Sequence, residues 1–532
     1  MSSPDKPFPS RESIQGQILG AEAMEGFLSH SRAAGAVVGL CHGCFDLVHP
    51  GHMDHFEECR RHCDILVVSI TADAFINKGP GRPVFDQNRR AAFLAALRPV
   101  DAIFVAHEPT ALGVIDLIKP DLYFKGVDYS DQAADVTGMI AQERARVESH
   151  GGKLFITDTA KSSSTQLIQT GKLLDLPQPV QGWIERIRTQ TSLDEVLDYV
   201  LNKFAKLEVG VFGDLIIDEY VACTPVGTTS KAPAISAIYR ESELMAGGSA
   251  AIARHLAEYA GYVKLVCQRG ERNWAFDDLM RDSLSHNIET VWIRNAEGFT
   301  PQKVRFLSTG YPNTLNTAAR ARTEETPIKL FEYAYLNTDK SDQKLLLEVL
   351  DQGGLKMASA IWADFGHGLL GQDAWRKVRD TANFIALNVQ TNSTNFGFNL
   401  ISKYSGADLV CIDELEARLA LHDRDISFEQ VLTLLGGILR CSDVAITRGK
   451  AGLTMTNGGG HEVVPGLAQR IVDPVGAGDA VLSMMTLSRL AKAPPAVAGV
   501  LAGAAGALAC QIVGNRSPVQ KSALVKFVTG LF

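Results

Sequence analysis

Basic charge is in short supply in this chain. Its 52 lysines and arginines are outnumbered by 60 acidic residues, for a net charge of −8. That balance argues against general nucleic-acid binding, which needs a basic surface, and leaves only local Lys and Arg groups to meet phosphates. Long apolar runs are missing too. The most apolar stretch, 496–510 (AVAGVLAGAAGALAC), is shorter than the roughly 20 residues of a membrane span, so it reads as a buried helix and no membrane partner is expected. Residues 1–12 are polar and lack the apolar core of a secretory signal. The nine cysteines are scattered, without the density of a secreted disulfide scaffold, and a reducing cytoplasm is the expected setting. No short repeat or low-complexity stretch interrupts the chain. What is present is the composition of a soluble globular protein, 46% hydrophobic and 21% charged over 532 residues, a length that implies two to four domains.

Residues 1–35 read as a polar lead with a helix over 11–34. From 36 to 172 strands and helices alternate, with strands over 37–41, 65–70, 102–105, 122–125 and 153–156. Such alternation predicts a doubly wound, parallel α/β sheet whose ligands lie at the carboxyl ends of its strands. Two prolines and a loss of periodicity over 173–181 mark a boundary. The segment 173–205 reads as a linker with a connecting helix over 192–204. A new strand over 207–212 opens a second α/β unit, 206–532.

The first unit carries Gly43-Cys44-Phe45-Asp46-Leu47-Val48-His49-Pro50-Gly51-His52 between an expected strand and an expected helix. Strand, tight turn and helix start place two imidazoles and several backbone N–H groups at one spot. A helix N-terminus favours anions. Two histidines there can bind nucleotide phosphates and stabilise the charge that develops in phosphoryl transfer. This run is followed by Lys78-Gly79, Gly81-Arg82-Pro83, Arg89-Arg90, Lys125-Gly126-Val127-Asp128-Tyr129 and Ser162-Ser163-Ser164-Thr165. Together they resemble the cytidylyltransferase-like nucleotidyltransferases.

The resemblance implies a Rossmann-like fold in which an acceptor's phosphate oxygen attacks the α-phosphorus of a nucleoside triphosphate and pyrophosphate leaves. It makes His49 and His52 catalytic phosphate contacts and puts Cys44 and Phe45 in the nucleotide site. Lys78, Arg82 and Arg89 become candidates for the acceptor phosphate or the β and γ phosphates. Lys125, Gly126 and Asp128 are expected near base and ribose. Ser163, Ser164 and Thr165 open a helix, where hydroxyls both cap and donate to phosphate. Mg2+ is expected with the triphosphate, and CTP and ATP are both open. Cys41, Cys44, Cys59 and Cys63, with five histidines nearby, also form a zinc-like spacing. Against zinc, Cys59 and Cys63 lie one helical turn apart facing the sheet, and a metal there would collide with the phosphate pocket.

The second unit carries Asp473-Pro474-Val475-Gly476-Ala477-Gly478-Asp479. Gly-Ala-Gly ahead of a helix exposes N–H groups as an anion hole, and a carboxylate beside it can take a hydroxyl proton. The plainer reading is a glycine turn with Asp as a cap. With Gly213-Asp214, Gly247-Gly248-Ser249-Ala250, Asp364-Phe365-Gly366-His367-Gly368 and Thr447-Arg448-Gly449-Lys450-Ala451-Gly452, this half resembles the ribokinase-like pfkB sugar kinases over 206–532. The resemblance implies Asp479 as general base and Gly476, Ala477 and Gly478 as anion hole. It also implies Arg448 and Gly449 beside ATP, Asp218, Gly247, Gly248 and Asn392 on the acceptor side, and Glu414 holding magnesium through water. It further implies a small β lid, 222–243, through which a homodimer forms.

Three departures bear on activity. Ile252 stands at or next to the position of a sugar-binding Asn. Cys411-Ile412-Asp413-Glu414 keeps the Glu of an Asn-x-x-Glu motif and loses its Asn. The stretch 388–399 (NVQTNSTNFGFN) is amide-rich, suited either to reading sugar hydroxyls or to forming a polar loop with Asx turns. Ser230-Lys231-Ala232-Pro233, Lys303-x-Arg305 and several motifs above are similar to the bifunctional heptose-phosphate kinase/adenylyltransferases of ADP-heptose synthesis, with the order of domains reversed. The expectation is a bifunctional enzyme that phosphorylates a sugar or sugar phosphate with ATP and transfers a nucleotidyl group from CTP or ATP to a sugar or polyol phosphate. The alternatives are an active nucleotidyltransferase with a non-catalytic kinase-like half, and a metal-bound regulatory protein.

Overall fold

Residues Ile65–Thr71 (ILVVSIT) are aliphatic on both faces and almost wholly buried, the pattern of a strand covered on two sides. The computed structural model describes residues 17–126, 139–157, 176–229, 234–308, 328–337, 340–353, 355–458, 460–468 and 470–532. The chain divides into two units, Met1–Leu176 and Pro177–Phe532.

In the first unit β1 (Gln17–Leu19), β2 (Val38–Gly43), β3 (Ile65–Thr71), β4 (Ala102–Ala106), β5 (Leu122–Lys125) and β6 (Lys153–Ile156) form one sheet. Its order is β1-β4-β3-β2-β5-β6, and every pairing is parallel. Parallel strands need crossover helices, and these cover both faces. Met24, Leu28, Ile115 and Ile118 pack with Leu40 and Tyr123 on one side. Phe56, Cys59 and Leu94 pack with Cys41, Val68 and Phe124 on the other. The strand order reverses between β2 and β5. In doubly wound sheets ligands bind at that reversal, outside the carboxyl ends of the strands.

All five expected strands form here. The helix expected over 11–34 is shorter, Ala21–Ala33, because Gln17–Leu19 pairs with Ala102–Phe104 as an edge strand and Gly20 caps the helix.

In the second unit β7 (Glu208–Gly213), β8 (Leu215–Thr228), β9 (Ile235–Gly248), β10 (Tyr262–Gly270), β11 (Ile288–Asn295), β12 (Gln302–Ser308), β13 (Ile328–Tyr335), β14 (Ser359–Asp364), β15 (Phe384–Val389), β16 (Leu409–Asp413), β17 (Val444–Thr447), β18 (Leu453–Thr456) and β19 (His461–Val464) form two sheets. The large sheet runs β11-β10-β7-β14-β15-β16-β17-β18-β19, parallel up to β17 and antiparallel beyond. The small sheet, β13-β12-β8-β9, contains the expected lid as the β8–β9 hairpin. It exposes Val226, Ile235, Ile238, Tyr239 and Phe331.

The segment read as a linker also holds the helix Gln178–Gln190, which buries Val180, Trp183, Ile184 and Ile187 and reaches Glu462 and the Leu531 carbonyl through Arg186 and Arg188. Prolines 177 and 179 start this helix, as proline does in a first turn. The expected helix over 192–204 is Leu193–Asp198, continued by a π turn and a 3-10 turn to Lys206. The stretch 496–510 is the buried helix Pro495–Ala509. Among the described residues no helix is long and apolar enough to cross a membrane.

Candidate active sites

At the carboxyl end of β2 the chain turns through Cys44 and Phe45, whose φ of 45° is left-handed, and enters the helix Pro50–His62. His49 is the N-cap, and its N–H donates to His52 Nδ1 at 3.4 Å. The two rings lie 3.9 Å apart between centroids, and Phe45 meets the His52 ring edge-on at 5.4 Å. Burial, then the His49, His55 and Lys78 charges, pushes the His52 pKa down to about 3, and burial also lowers that of His49. Both imidazoles are therefore neutral at pH 7. A neutral His52 accepting at Nδ1 carries its proton on Nε2, as a donor for an anion.

Around this pair the structure sorts the expected cations. Lys78 acts electrostatically on Cys44 and His52, so its charge lies close to the pair. Burial raises the Cys44 pKa despite three nearby cations, and this buried thiol stays protonated. Arg82 is turned inward, its Nε 2.5 Å from Asp46 in an ion pair that is almost fully buried. Asp46 Oδ1 also accepts from the N–H groups of Val84 and Phe85, which fastens that loop to the motif turn.

Arg89, expected at a phosphate, has a side chain 75% exposed and pairs with Asp86 on the outer face of its helix. Its neighbour Arg90 is the buried one. Arg90 donates to the carbonyls of Cys44, Thr71 and Phe85 and to Asp73. The helical spacing of Arg90 with Leu94 on the buried face of Gln87–Ala95 was the available signal. Lys125, expected near the nucleotide, is paired at 2.8 Å with Glu143, and both are nearly buried. Gly126 follows β5 directly. Asp128, Ser163, Ser164 and Thr165 lie outside the described residues.

Because the Arg82–Asp46 pair is desolvated, removing one partner strands the other. Asp46→Ala is expected to cost about 3–5 kcal/mol of stability, read as a lower urea midpoint for the first unit.

In the second unit Asp214 directly follows β7. Its fully buried carboxylate accepts from the N–H groups of Phe365, His367 and Leu369 and from Gln268, and so holds the Gly366–Gly368 turn. Burial, with Asp364 nearby, raises its pKa to about 6. Asp218, one strand on, is paired with Arg305 and accepts from Asn515 Nδ2 at 3.2 Å. Gly247 lies against it: a Cβ there would come within 2.2 Å of Asp218 Oδ2. Gly248 has a φ of +59° and opens the helix Ser249–Ala257, in which Ile252 is fully buried in the core.

The helix Ala477–Leu490 starts at Gly476, φ +84°, where a Cβ would meet Asn515 Oδ1 at 2.5 Å. Asn515 thus bridges the Asp218 side and the Gly-Ala-Gly turn. Sequence reading missed it, since only a polar residue after an apolar helix pointed to it. Of the first-turn N–H groups, that of Ala477 donates to the Pro474 carbonyl at 3.3 Å, and those of Gly478 and Asp479 have no intrahelical acceptor. Asp479 is buried, and Gln390 Nε2 donates to its Oδ1 at 3.0 Å. Burial raises the Asp479 pKa to about 7, with Asp218 adding to the rise and Gln390 opposing it.

Two residues expected on the acceptor and metal side are engaged within the protein. Asn392 Nδ2 donates to the Phe365 carbonyl, and its Oδ1 accepts from the Thr394 N–H in an Asx turn. Of the amide stretch, Gln390 is the residue on the carboxylate. Glu414 has one oxygen on Arg418 at 2.8 Å and the other on Arg448 at 3.1 Å, and these pairs lower its pKa. A carboxylate held by two guanidiniums is a poor partner for a hydrated cation, so Glu414 does not fit as a magnesium ligand in this arrangement. Arg448 also lies over Phe428, with Gly449 next to it at a φ of +52°.

Lys303 is the register partner of Asp218, and its charge acts in turn on His367. Burial lowers both pKa values, that of His367 to about 3. Glu416, capping the Glu414–Leu421 helix, has a pKa raised to about 8 by burial. A group neutral in the fold at that pH adds stability below the unfolded pKa and loses it as pH rises through 8. Glu416→Gln is therefore expected to leave the melting temperature near wild type at pH 5 and to raise it above wild type at pH 9.

Residues 40–170 match the Cytidylyltransferase-like family, and residues 211–522, more than half of the chain, match the pfkB family of carbohydrate kinases. The Bifunctional protein HldE of Hyphomonas neptunium is 37% identical over 164 residues, which is 29% of this chain and 32% of that protein. The protein of the same name from Mesorhizobium japonicum is 38% identical over 150 residues, 28% of this chain and 29% of its own. The chain thus spans less than a third of the length of these curated relatives. The Phosphofructokinase-2 structure from Escherichia coli in complex with substrates and products aligns with 61% of this chain and 99% of its own, at 12% identity and a TM-score of 0.47. With its larger unit matched over nearly all of its length, the chain belongs to the pfkB family of carbohydrate kinases and carries a cytidylyltransferase-like domain ahead of it.

Proposed function

We propose that the chain is a bifunctional enzyme of activated-sugar synthesis. The first unit transfers a nucleotidyl group from CTP or ATP to a sugar or polyol phosphate. The second phosphorylates a sugar or sugar phosphate with ATP. The observation that carries the first activity is the neutral, closely spaced His49–His52 pair at a helix N-terminus where the strand order reverses. No protein nucleophile is needed. The acceptor oxygen attacks the α-phosphorus, the bond to pyrophosphate breaks, and the His52 Nε2–H and Lys78 neutralise the charge that builds on the phosphates. Mg2+ enters with the triphosphate as part of the substrate.

In the second unit a hydroxyl attacks the γ-phosphorus, ADP leaves, and the hydroxyl proton passes to Asp479 Oδ2 while Gln390 holds Oδ1. The Gly476–Gly478 turn receives the transferring group. Asp218, Asn515, Lys303 and His367 border the acceptor. The exposed apolar side chains of the small sheet support a homodimer through the lid. A second reading, a binding or dimerisation module without kinase activity, is favoured by buried Ile252 and by the double pairing of Glu414.

Pyrophosphate release with CTP, ATP, UTP and GTP against sugar 1-phosphates and glycerol phosphate tests the first activity. ADP release with the sugars so identified tests the second. Silence across the first panel would remove nucleotidyl transfer to these acceptors.

A further inference from the structure

A cluster beneath the histidine pair has the geometry of a metal centre. Cys41 lies on β2, and His55 and Cys59 lie one turn apart on the Pro50–His62 helix. Cys41 Sγ is 3.6 Å from Cys59 Sγ and 3.6 Å from His55 Nε2, and Cys59 Sγ is 3.7 Å from the same nitrogen. Zinc bonds of about 2.3 Å to sulfur and about 2.0–2.1 Å to nitrogen, set at tetrahedral angles, imply edges of roughly 3.6–3.8 Å. The three edges here fall on those lengths.

A second observation concerns the imidazole tautomer. His55 Nδ1 lies 2.7 Å from the Thr157 hydroxyl, and that hydroxyl donates in turn to the Lys125 carbonyl at 3.3 Å. Thr157 therefore accepts from Nδ1–H, which leaves the lone pair on Nε2, 3.6 Å from Cys41 Sγ, while Cys59 Sγ lies beside the ring, 3.7 Å from Nε2 and 3.9 Å from Nδ1. Metal-ligating histidines are oriented in this way by a partner on the other ring nitrogen. Cys41, Cys59 and Thr157 are all fully buried.

We propose that Cys41, His55 and Cys59 bind one thiophilic divalent cation, zinc first, with water in the fourth position. The ion clamps the helix that carries His52 to β2 and, through Thr157, to the ends of β5 and β6. The spacing-based objection, collision with the phosphate pocket, does not apply to this set. His49 and His52 stand at the helix N-terminus, whereas His55 and Cys59 lie further along the helix, against the sheet. Cys63 is outside the set, its Sγ directed at the Cys59 carbonyl.

The test uses the full chain, purified without chelators, then stripped and titrated with Co2+. Wild type and Cys63→Ser are expected to take up one equivalent, with the sulfur-to-cobalt charge-transfer band and the intense d–d bands of a tetrahedral site. Cys59→Ser and His55→Gln lose both bands. Thr157→Val keeps them but binds about 10–100-fold more weakly. Zn2+ raises the melting temperature of wild type and not of Cys59→Ser. Folding of each variant is checked by circular dichroism against stripped wild type. The proposal is overturned if reduced wild type takes up no stoichiometric cobalt. It is also overturned if Cys59→Ser and His55→Gln bind as wild type does, or if Cys63→Ser abolishes uptake. Retention of a Cys41–Cys59 disulfide in place of any metal uptake would overturn it as well.

Discussion

His52→Ala is expected to lower acceptor-dependent pyrophosphate release by about 10²–10³-fold, the cost of losing one preorganised donor to developing charge. The argument rests on protonation as much as position. With its pKa at about 3, His52 is neutral in the free enzyme throughout the physiological range. It contributes a dipolar N–H aimed at the phosphates, not a full charge that product would have to escape. Two outcomes follow. The His52 contribution gives no break in the rate–pH profile between pH 5 and 8. The kinase rate is unchanged in His52→Ala, because the residue belongs to the other unit. A variant that keeps wild-type pyrophosphate release removes His52 from the chemistry. In stability the sign is equally clear: a His with a depressed folded pKa favours the fold above the unfolded value near 6.5, and that contribution is lost as pH falls toward 3.

Asp479→Asn is expected to reduce phosphoryl transfer in the second unit by about 10²–10⁴-fold, the usual scale of a positioned general base. Asn preserves the acceptor for Gln390, so the loss isolates the proton transfer. Here the pKa is raised, to about 7. The carboxylate must be ionised to act, so kcat/KM for phosphorylation is expected to rise with pH through about 7 and then level. Binding of a cationic metal beside the phosphates would move that midpoint downward. An Asp479→Asn variant with undiminished ADP release would support the non-catalytic reading of this unit.

The side chains named from motifs divide by how far their partners lie along the chain. His49, His52, Gly476 and Asp479 sit within short runs whose local backbone, a strand end, a turn and a helix start, sets their geometry. Arg82, Lys125 and Glu414 were singled out as available charges and are found paired with Asp46, with Glu143, and with Arg418 and Arg448. A charge in sequence carries no mark of whether burial will oblige it to find a counter-ion. Asn515 and Gln390 were passed over for the converse reason, being uncharged residues made important by the carboxylates they meet.

From its sequence alone this protein's two α/β units, their order, five of the six strands of the first and the two glycine-containing turns that open helices were determined, because periodicity and turn chemistry are properties of neighbours in the chain. Only the tertiary structure decided which cations are spent inside the fold, that Asp218 and Asn515 meet across 297 residues, and that Cys41, His55 and Cys59 converge while Cys63 turns away. Those outcomes depend on strand register and on the burial of ionisable groups, and both are set by pairings between segments that no local pattern connects.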